Sequence, residues 1–164
     1  MEIRPTRSDD IPAIEAIFDS ARRYMRLTGN MEQWNDGYPD AGSVAADMER
    51  GVSYVMENSE GKVVATFAFI PGEEPTYREI AGRWLSDRPY CTVHRIASDG
   101  SARGVLSRCV KWGFDRADSI RIDTHADNRP MRAALAECGF TECGVIHLLN
   151  GDERIAFQKD ISTL

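Results

Sequence analysis

What this sequence lacks narrows it first. Its 164 residues contain no apolar run approaching the roughly 20 that a bilayer span requires, so neither a spanning helix nor a membrane partner is expected. The opening stretch MEIRPTRSDD is charged from its second residue and has no apolar segment, so a secretory leader is not expected and a cytoplasmic location is the default. Positive charge is not in excess. Twenty Lys and Arg against 26 Asp and Glu leave a net charge of -6, which argues against nucleic acid as a partner, because that grip needs a basic face. The four cysteines, Cys91, Cys109, Cys138 and Cys143, lack the C-x-x-C spacing of zinc or redox sites and read as reduced, inert thiols. No Gly-Lys-Ser/Thr triplet is present, which sets nucleotide-dependent phosphoryl transfer aside. Repeats, low-complexity stretches and linkers are also missing.

What is present, 42% hydrophobic and 28% charged residues, is the composition of a globular protein, and the length suits one domain over 1–164 with its own core. MEIRPT predicts a first strand. SDDIPAIEAIFDSARRYM places Ile11, Ile14, Ile17, Phe18, Ala21 and Met25 at helical spacing, with Ser8 or Asp9 as cap and Pro12 in the first turn. A Gly- and Asn-rich loop and a short helix at SVAADMER follow. VSYVME and KVVATFAFI predict a hairpin, and after a mixed segment YCTVHRIAS predicts the fourth strand. The stretch SDGSARGVLSRCVKW then leads into a third helix. SIRIDTH predicts the fifth strand, NRPMRAALAECG a fourth helix capped by Asn128, and GVIHLL with ERIAFQK a hairpin turning at Asn150-Gly151. The strand–helix–strand crossover makes the fourth and fifth strands parallel neighbours. Ligands in open sheets gather beyond the carboxyl ends of such strands.

This element order, with HRIASDGSARGVLSRCVKW followed by IRIDTHADNRPMRAALAECGF, resembles the GCN5-related N-acetyltransferase (GNAT) superfamily over essentially the whole chain. The resemblance implies an α+β fold: a mixed, mostly antiparallel sheet of about seven strands with four helices, whose splayed parallel fourth and fifth strands form the acyl-coenzyme A cleft. The family's phosphate loop, Q/R-x-x-G-x-G/A, falls on Ser101 to Leu106, where Gly104 keeps the pattern while Ser101 and Leu106 depart from it. The family's N-x-x-A-x-x-L-Y-x-x-x-G-F falls on Asn128 to Phe140. Asn128, Gly139 and Phe140 match, Met131 stands at the Ala position and Leu135 at the Tyr position. That Tyr protonates the departing thiolate in many members, and leucine has no proton to give.

The implied function is transfer of an acetyl group from acetyl-coenzyme A, without a metal, directly to a small-molecule amine or a free amino group. Backbone N–H groups of Arg103, Gly104, Val105, Leu106 and Ser107 would hold the pyrophosphate, with Arg103 or Arg108 adding charge. Ile96, Ala97 and Ser98 would pair with the pantetheine arm as an added strand would, and a backbone N–H near Ile96 or Ala97 would polarise the thioester carbonyl. Asn128 either bonds the arm or only caps its helix. His125, after the fifth strand, is a catalytic candidate or a polar loop residue. His94 is a base or a satisfied core histidine, and His147 reads as structural. Tyr24, Trp34 and Tyr38, with Arg22, Arg23 and Gln33 nearby, either wall an acceptor pocket or anchor their loop. Glu73, Glu74 and Glu79 either attract a cationic acceptor or form a solvated surface. A coenzyme-binding or interaction module of the same fold with reduced catalysis is the alternative, and a homodimer through edges of the C-terminal hairpin stays open.

Overall fold

A computed structural model describes residues 1–162. Its elements are β1 (Glu2–Pro5), α1 (Ile11–Leu27), α2 (Ala41–Glu49), β2 (Ser53–Glu57), β3 (Val63–Pro71), β4 (Ala81–Gly82), β5 (Cys91–Ser98), α3 (Val105–Phe114), β6 (Ser119–Thr124), α4 (Arg129–Glu137), β7 (Thr141–His147) and β8 (Glu153–Asp160). The described residues form eight strands, where about seven are expected, and four α-helices. The strands expected as fourth and fifth are β5 and β6. The chain makes two compact units: Met1–Phe69 with His94–Val105, and Ile70–Val93 with the chain from Leu106 onward.

In the first unit the strand order is β1-β2-β3-β5, with β2 antiparallel to both β1 and β3. The spacing in α1 does what it predicts: Ile14, Ile17 and Phe18 pack with Val44 of α2, Val55 of β2 and Ala97 of β5. The start of α1 differs from expectation. Residues Ser8–Asp10 form a 3-10 turn, and no side chain caps α1. Asp10 instead accepts from the Arg7 N–H at 2.7 Å and from both terminal nitrogens of Arg4 at 2.7 and 2.9 Å. The Arg4 side-chain bond comes first among the causes that hold the Asp10 carboxyl below its usual range. A depressed folded-state value gives stability that is present above the unfolded carboxylate pKa, near pH 4, and is lost as pH falls through the folded one. Urea unfolding of Asp10→Asn should therefore show a loss of about 2 kcal/mol at pH 7 that is smaller at about pH 2. A loss of the same size at both pH values would mean that the ion pair carries none of it.

In the second unit the order is β5-β6-β8-β7-β4. β5 and β6 are parallel, with Cys91 opposite Ile120 and Thr92 opposite Arg121; β8 runs antiparallel to β6 and β7. The Asn150-Gly151 turn forms as expected, with Gly151 at φ +91° and the Leu148 N–H on the Asp152 carbonyl at 2.8 Å. β7 begins at Thr141, three residues before the expected start, because a register shift between Glu142 and Gly144 breaks the alternation that marks a strand. β4 escapes the pattern for another reason: two residues carry no period. Its pairing needs bare backbone. A Cβ on Gly82 would lie 2.2 Å from the Cys143 carbonyl oxygen, and one on Gly144 would lie 2.2 Å from that of Ala81. The C-terminal hairpin offers less edge than expected, since β8 is an inner strand and β4 covers β7 at Gly144 and Val145. All four cysteines are unpaired, and burial is the first cause raising each thiol pKa, so none is an activated nucleophile. Among the described residues no helix is long and apolar enough to cross a membrane.

Candidate functional site

The stretch from His94 to Val105 belongs to the first unit and begins with a backbone departure that no sequence pattern announces. Arg95 sits within β5 at φ +53°, in the left-handed region that a long side chain rarely occupies. Such a residue breaks strand alternation, so a period of two does not relate His94 to Ile96 as the sequence reading assumes. A conformation of this kind costs about 1–3 kcal/mol and persists only where its surroundings impose it. Here they do. The Arg95 guanidinium donates from Nε and Nη2 to Asp47 Oδ2 at 3.0 and 2.6 Å, and from Nη1 to the Tyr38 hydroxyl at 2.8 Å. Burial acts to lower the Arg95 pKa, but Tyr38 and Asp47 outweigh it and hold the charge firmly on. Asp47, buried in α2, and Arg95 are the residues that sequence reading misses. An acidic residue inside the pattern of a short helix was the one available sign.

Beyond β5 the loop is built for an open backbone. The Asp99 N–H reaches the Val64 carbonyl at 3.0 Å, and its side chain accepts from the Ser101 N–H and hydroxyl at 2.9 and 2.6 Å. Gly100 and Gly104 have φ of +83° and +71°, and a Cβ added at Gly104 would meet nothing within 4 Å. The glycines thus serve conformation and leave the space beside Gly104 clear. α3 starts at the next residue, and its first-turn N–H groups have no carbonyl one turn back to bond. Arg103, Ser107 and Arg108 are exposed, whereas the Leu106 side chain is 7% exposed and packs inward, so only its N–H is available to a ligand. These features fit a diphosphate: positive-φ glycines, a clear approach and a helix N-terminus flanked by two exposed arginines.

The first unit's aromatic candidates divide. Trp34 meets Phe18 edge-on at a centroid distance of 5.8 Å, and Arg26 donates to the carbonyls of Asn30, Gln33 and Trp34, so Trp34 anchors its loop to the core. Arg22 clamps the same loop through the carbonyls of Gly37 and Pro39. Gln33 is buried and accepts from the Asn30 amide at 2.9 Å. Tyr38 is 39% exposed with its hydroxyl on Arg95, and Tyr24 projects from α1 at 57% exposure. The loop is therefore pinned from α1, and of the three aromatic candidates Tyr24 and Tyr38 are the exposed ones.

In the second unit, His125 follows β6 with its side chain 19% exposed. The Asp127 N–H donates to His125 Nδ1 at 3.0 Å, and the Asn128 N–H to the His125 carbonyl at 2.9 Å. With the Nδ1 lone pair engaged, the neutral ring carries its proton on Nε2 and presents a donor rather than a base. Asn128 caps α4, its Oδ1 accepting from the Met131 N–H at 3.2 Å. Leu135 is fully buried on α4. His147 has an exposed side chain 3.5 Å from Glu153. Glu73 is exposed and paired with Arg78 at 3.1 Å; Glu74 is half-buried and accepts from Thr76 at 2.9 Å; Glu79 is exposed. Among the described residues no group of three or more His, Cys, Asp or Glu is placed to hold a metal ion.

Solved structures with this fold carry names that bear on the chemistry. A GNAT-family acetyltransferase from Streptococcus agalactiae is 32% identical, with a TM-score of 0.86, and the match covers 99% of this chain and 96% of that one. A GNAT-family acetyltransferase from Listeria monocytogenes matches at 17% identity and a TM-score of 0.71 over 98% and 94% of the two chains. The ribosomal-protein-S18-alanine N-acetyltransferase of Escherichia coli matches at 18% identity and a TM-score of 0.63, over 99% and 95%. No family model and no curated protein matches the chain.

Proposed function

From a chain that belongs to the GNAT acetyltransferase family, we propose an N-acetyltransferase that passes the acetyl group of acetyl-coenzyme A directly to the nitrogen of a small-molecule amine or a free amino group. The observation that carries this reading is β5: a strand broken at a left-handed Arg95 that runs into a loop with two positive-φ glycines and then into α3. The co-substrate supplies an activated thioester. The chain supplies position and charge. N–H groups of Arg103, Gly104, Val105, Leu106 and Ser107 receive the diphosphate, and backbone groups of Ile96, Ala97 and Ser98 align the pantetheine arm. An N–H freed near the Arg95 distortion polarises the thioester carbonyl, where charge develops during attack.

The amine must lose a proton and the leaving sulfur must be stabilised. His125, with its lone pair committed, donates from Nε2. In the first unit His94, half-buried and next to the left-handed Arg95, is the candidate to accept the amine's proton. Since Leu135 is buried and has no proton to give, most of the rate comes from alignment of the reactants. His94→Ala should lower kcat/KM by about 100-fold and remove the limb of the pH–rate profile that reports a base, with coenzyme affinity unchanged. An unchanged profile would take His94 out of the reaction.

The direct test is thiol release from acetyl-coenzyme A in the presence of a panel of small amines and peptides with free N-termini, beside a calorimetric titration with the coenzyme. Turnover with any acceptor supports the transferase. Binding without turnover across the panel favours a coenzyme-binding module, the reading that the buried Leu135 would suit. No binding by the folded protein overturns both.

A further inference from the structure

The second unit contains a cavity of about 420 Å³ that the acetyl-transfer reading does not use. Its walls include the rings of Tyr77, Trp84 and Tyr90, and Arg121 of β6 lies against it. The volume falls within the range of small-molecule sites, and aromatic walls with one placed charge are the composition of such sites.

Arg121 is the anomaly. The residue is 6% exposed, and its guanidinium is held between two rings, 3.9 Å from the Trp84 centroid and 4.0 Å from that of Tyr90. Nη2 donates to the Ser86 carbonyl at 3.0 Å, and Nε is buried with no hydrogen-bond partner. Among the described residues no carboxylate lies within ion-pair distance of it. Buried arginines are ordinarily neutralised, because a charge removed from water needs a counter-charge. The two rings, the Tyr90 hydroxyl and one carbonyl compensate Arg121 only in part, and none of them is a direct ion-pair partner.

The surroundings hold this arrangement in place. The Trp84 indole N–H donates to the Tyr77 carbonyl at 3.0 Å, and the fully buried Tyr77 donates its hydroxyl to Asp123 at 2.6 Å. The fully buried Gln158 of β8 accepts the Leu85 N–H at 2.9 Å and donates to Ser119 at 2.9 Å, which fixes the segment bearing Trp84 and Ser86. The Tyr90 hydroxyl accepts the Glu74 N–H at 2.8 Å. The site is therefore organised before anything enters it.

The other charges at the cavity set the ligand's valence. Arg78 is paired with Glu73 at 3.1 Å and Arg88 with Asp160 at 4.0 Å, while Asp87 adds a negative charge. With Asp87 counted against Arg121 the charges at the cavity sum to zero, so a monoanion placed against Arg121 is tolerated while a phosphate dianion is repelled. We propose that this cavity binds a small organic carboxylate, its charge against the Arg121 guanidinium and its apolar body against the rings of Tyr77, Trp84 and Tyr90. The proposal is independent of acetyl transfer.

The test is thermal unfolding of the whole protein with phenylacetate, its uncharged analogue phenylacetamide, and inorganic phosphate. Phenylacetate should raise the Tm by about 3–6 °C at ten times its dissociation constant, while the amide and phosphate shift it by about 1 °C or less. Arg121→Gln, which keeps a planar group between the rings and removes the charge, should lose the phenylacetate shift. L-Phenylalanine separates two sources of such a ligand. A Tm shift with thiol release from acetyl-coenzyme A identifies an acceptor, a shift without release identifies a ligand that is not acetylated, and either upholds the site. Equal shifts with the amide or with phosphate, no shift with any carboxylate, or a shift retained in Arg121→Gln would overturn it. The comparison of acid with amide holds even if the variant does not fold.

Discussion

Gly104→Asp should raise the dissociation constant for acetyl-coenzyme A by about 100-fold, while Gly104→Asn raises it by less than about tenfold. The two side chains have nearly the same shape, and both tolerate positive φ better than most residues. Both also enter space that is clear, since a Cβ at Gly104 meets nothing within 4 Å. Backbone strain is therefore common to the pair, and their difference is the charge. A carboxylate about 4–5 Å from a phosphate at an effective dielectric constant near 20 is repelled by about 3–4 kcal/mol, which screening at the surface reduces toward the 2.7 kcal/mol of a 100-fold change. Calorimetric titration measures both constants. Equal losses in the two variants would mean that the loop needs only glycine's conformation and that the diphosphate lies elsewhere.

Asp47→Ala should cost about 3–5 kcal/mol of stability and lower the Tm by about 6–15 °C, the largest effect expected away from the hydrophobic cores. The Arg95 side chain is 15% exposed and that of Asp47 is 9%, so removing the carboxylate strands a charge that water reaches poorly. Arg95→Ala should cost less, because it removes the charge along with its partner's need for it. The double variant should fall about 2 kcal/mol short of the sum of the two singles. Activity gives a second readout. If Asp47 holds Arg95 in its left-handed conformation, kcat should fall by about tenfold or more in Asp47→Ala under conditions where the protein remains folded. A stability loss under about 1 kcal/mol, or additive single effects, would show the clamp to be a surface pair.

The fold was legible in the sequence wherever a periodic pattern matched a regular element. α1 announced itself through Ile14, Ile17 and Phe18, α4 through its Asn128 cap and Gly139 stop, and the last hairpin through Asn150-Gly151. β4 and the first residues of β7 were not legible, one too short to carry a period and the other bulged. In the site, Gly104 could be read as a glycine needed for conformation, because its neighbours supplied the context of a strand before and a helix after. Trp34 could not be assigned: a tryptophan in a polar loop looks alike whether it faces a ligand or, as here, Phe18. The role expected of His125 turned on a backbone N–H two residues away that engages its Nδ1, a detail of loop conformation rather than of residue type.

By itself, then, the sequence determined the helices, most of the strands, the parallel pairing of β5 with β6, and the glycine loop ahead of α3. These are local matters, decided by side-chain period, capping and turn residues within a few positions of one another. The tertiary structure alone decided that Arg95 leaves the β conformation inside a strand, that Asp47 from a distant helix binds its guanidinium, and that Arg121 is enclosed by Trp84 and Tyr90. Each joins residues far apart in the chain except Tyr90 and Trp84, and each sets a charge against the cost of burying it. That balance depends on which groups the fold encloses together, and no local pattern of residues records it.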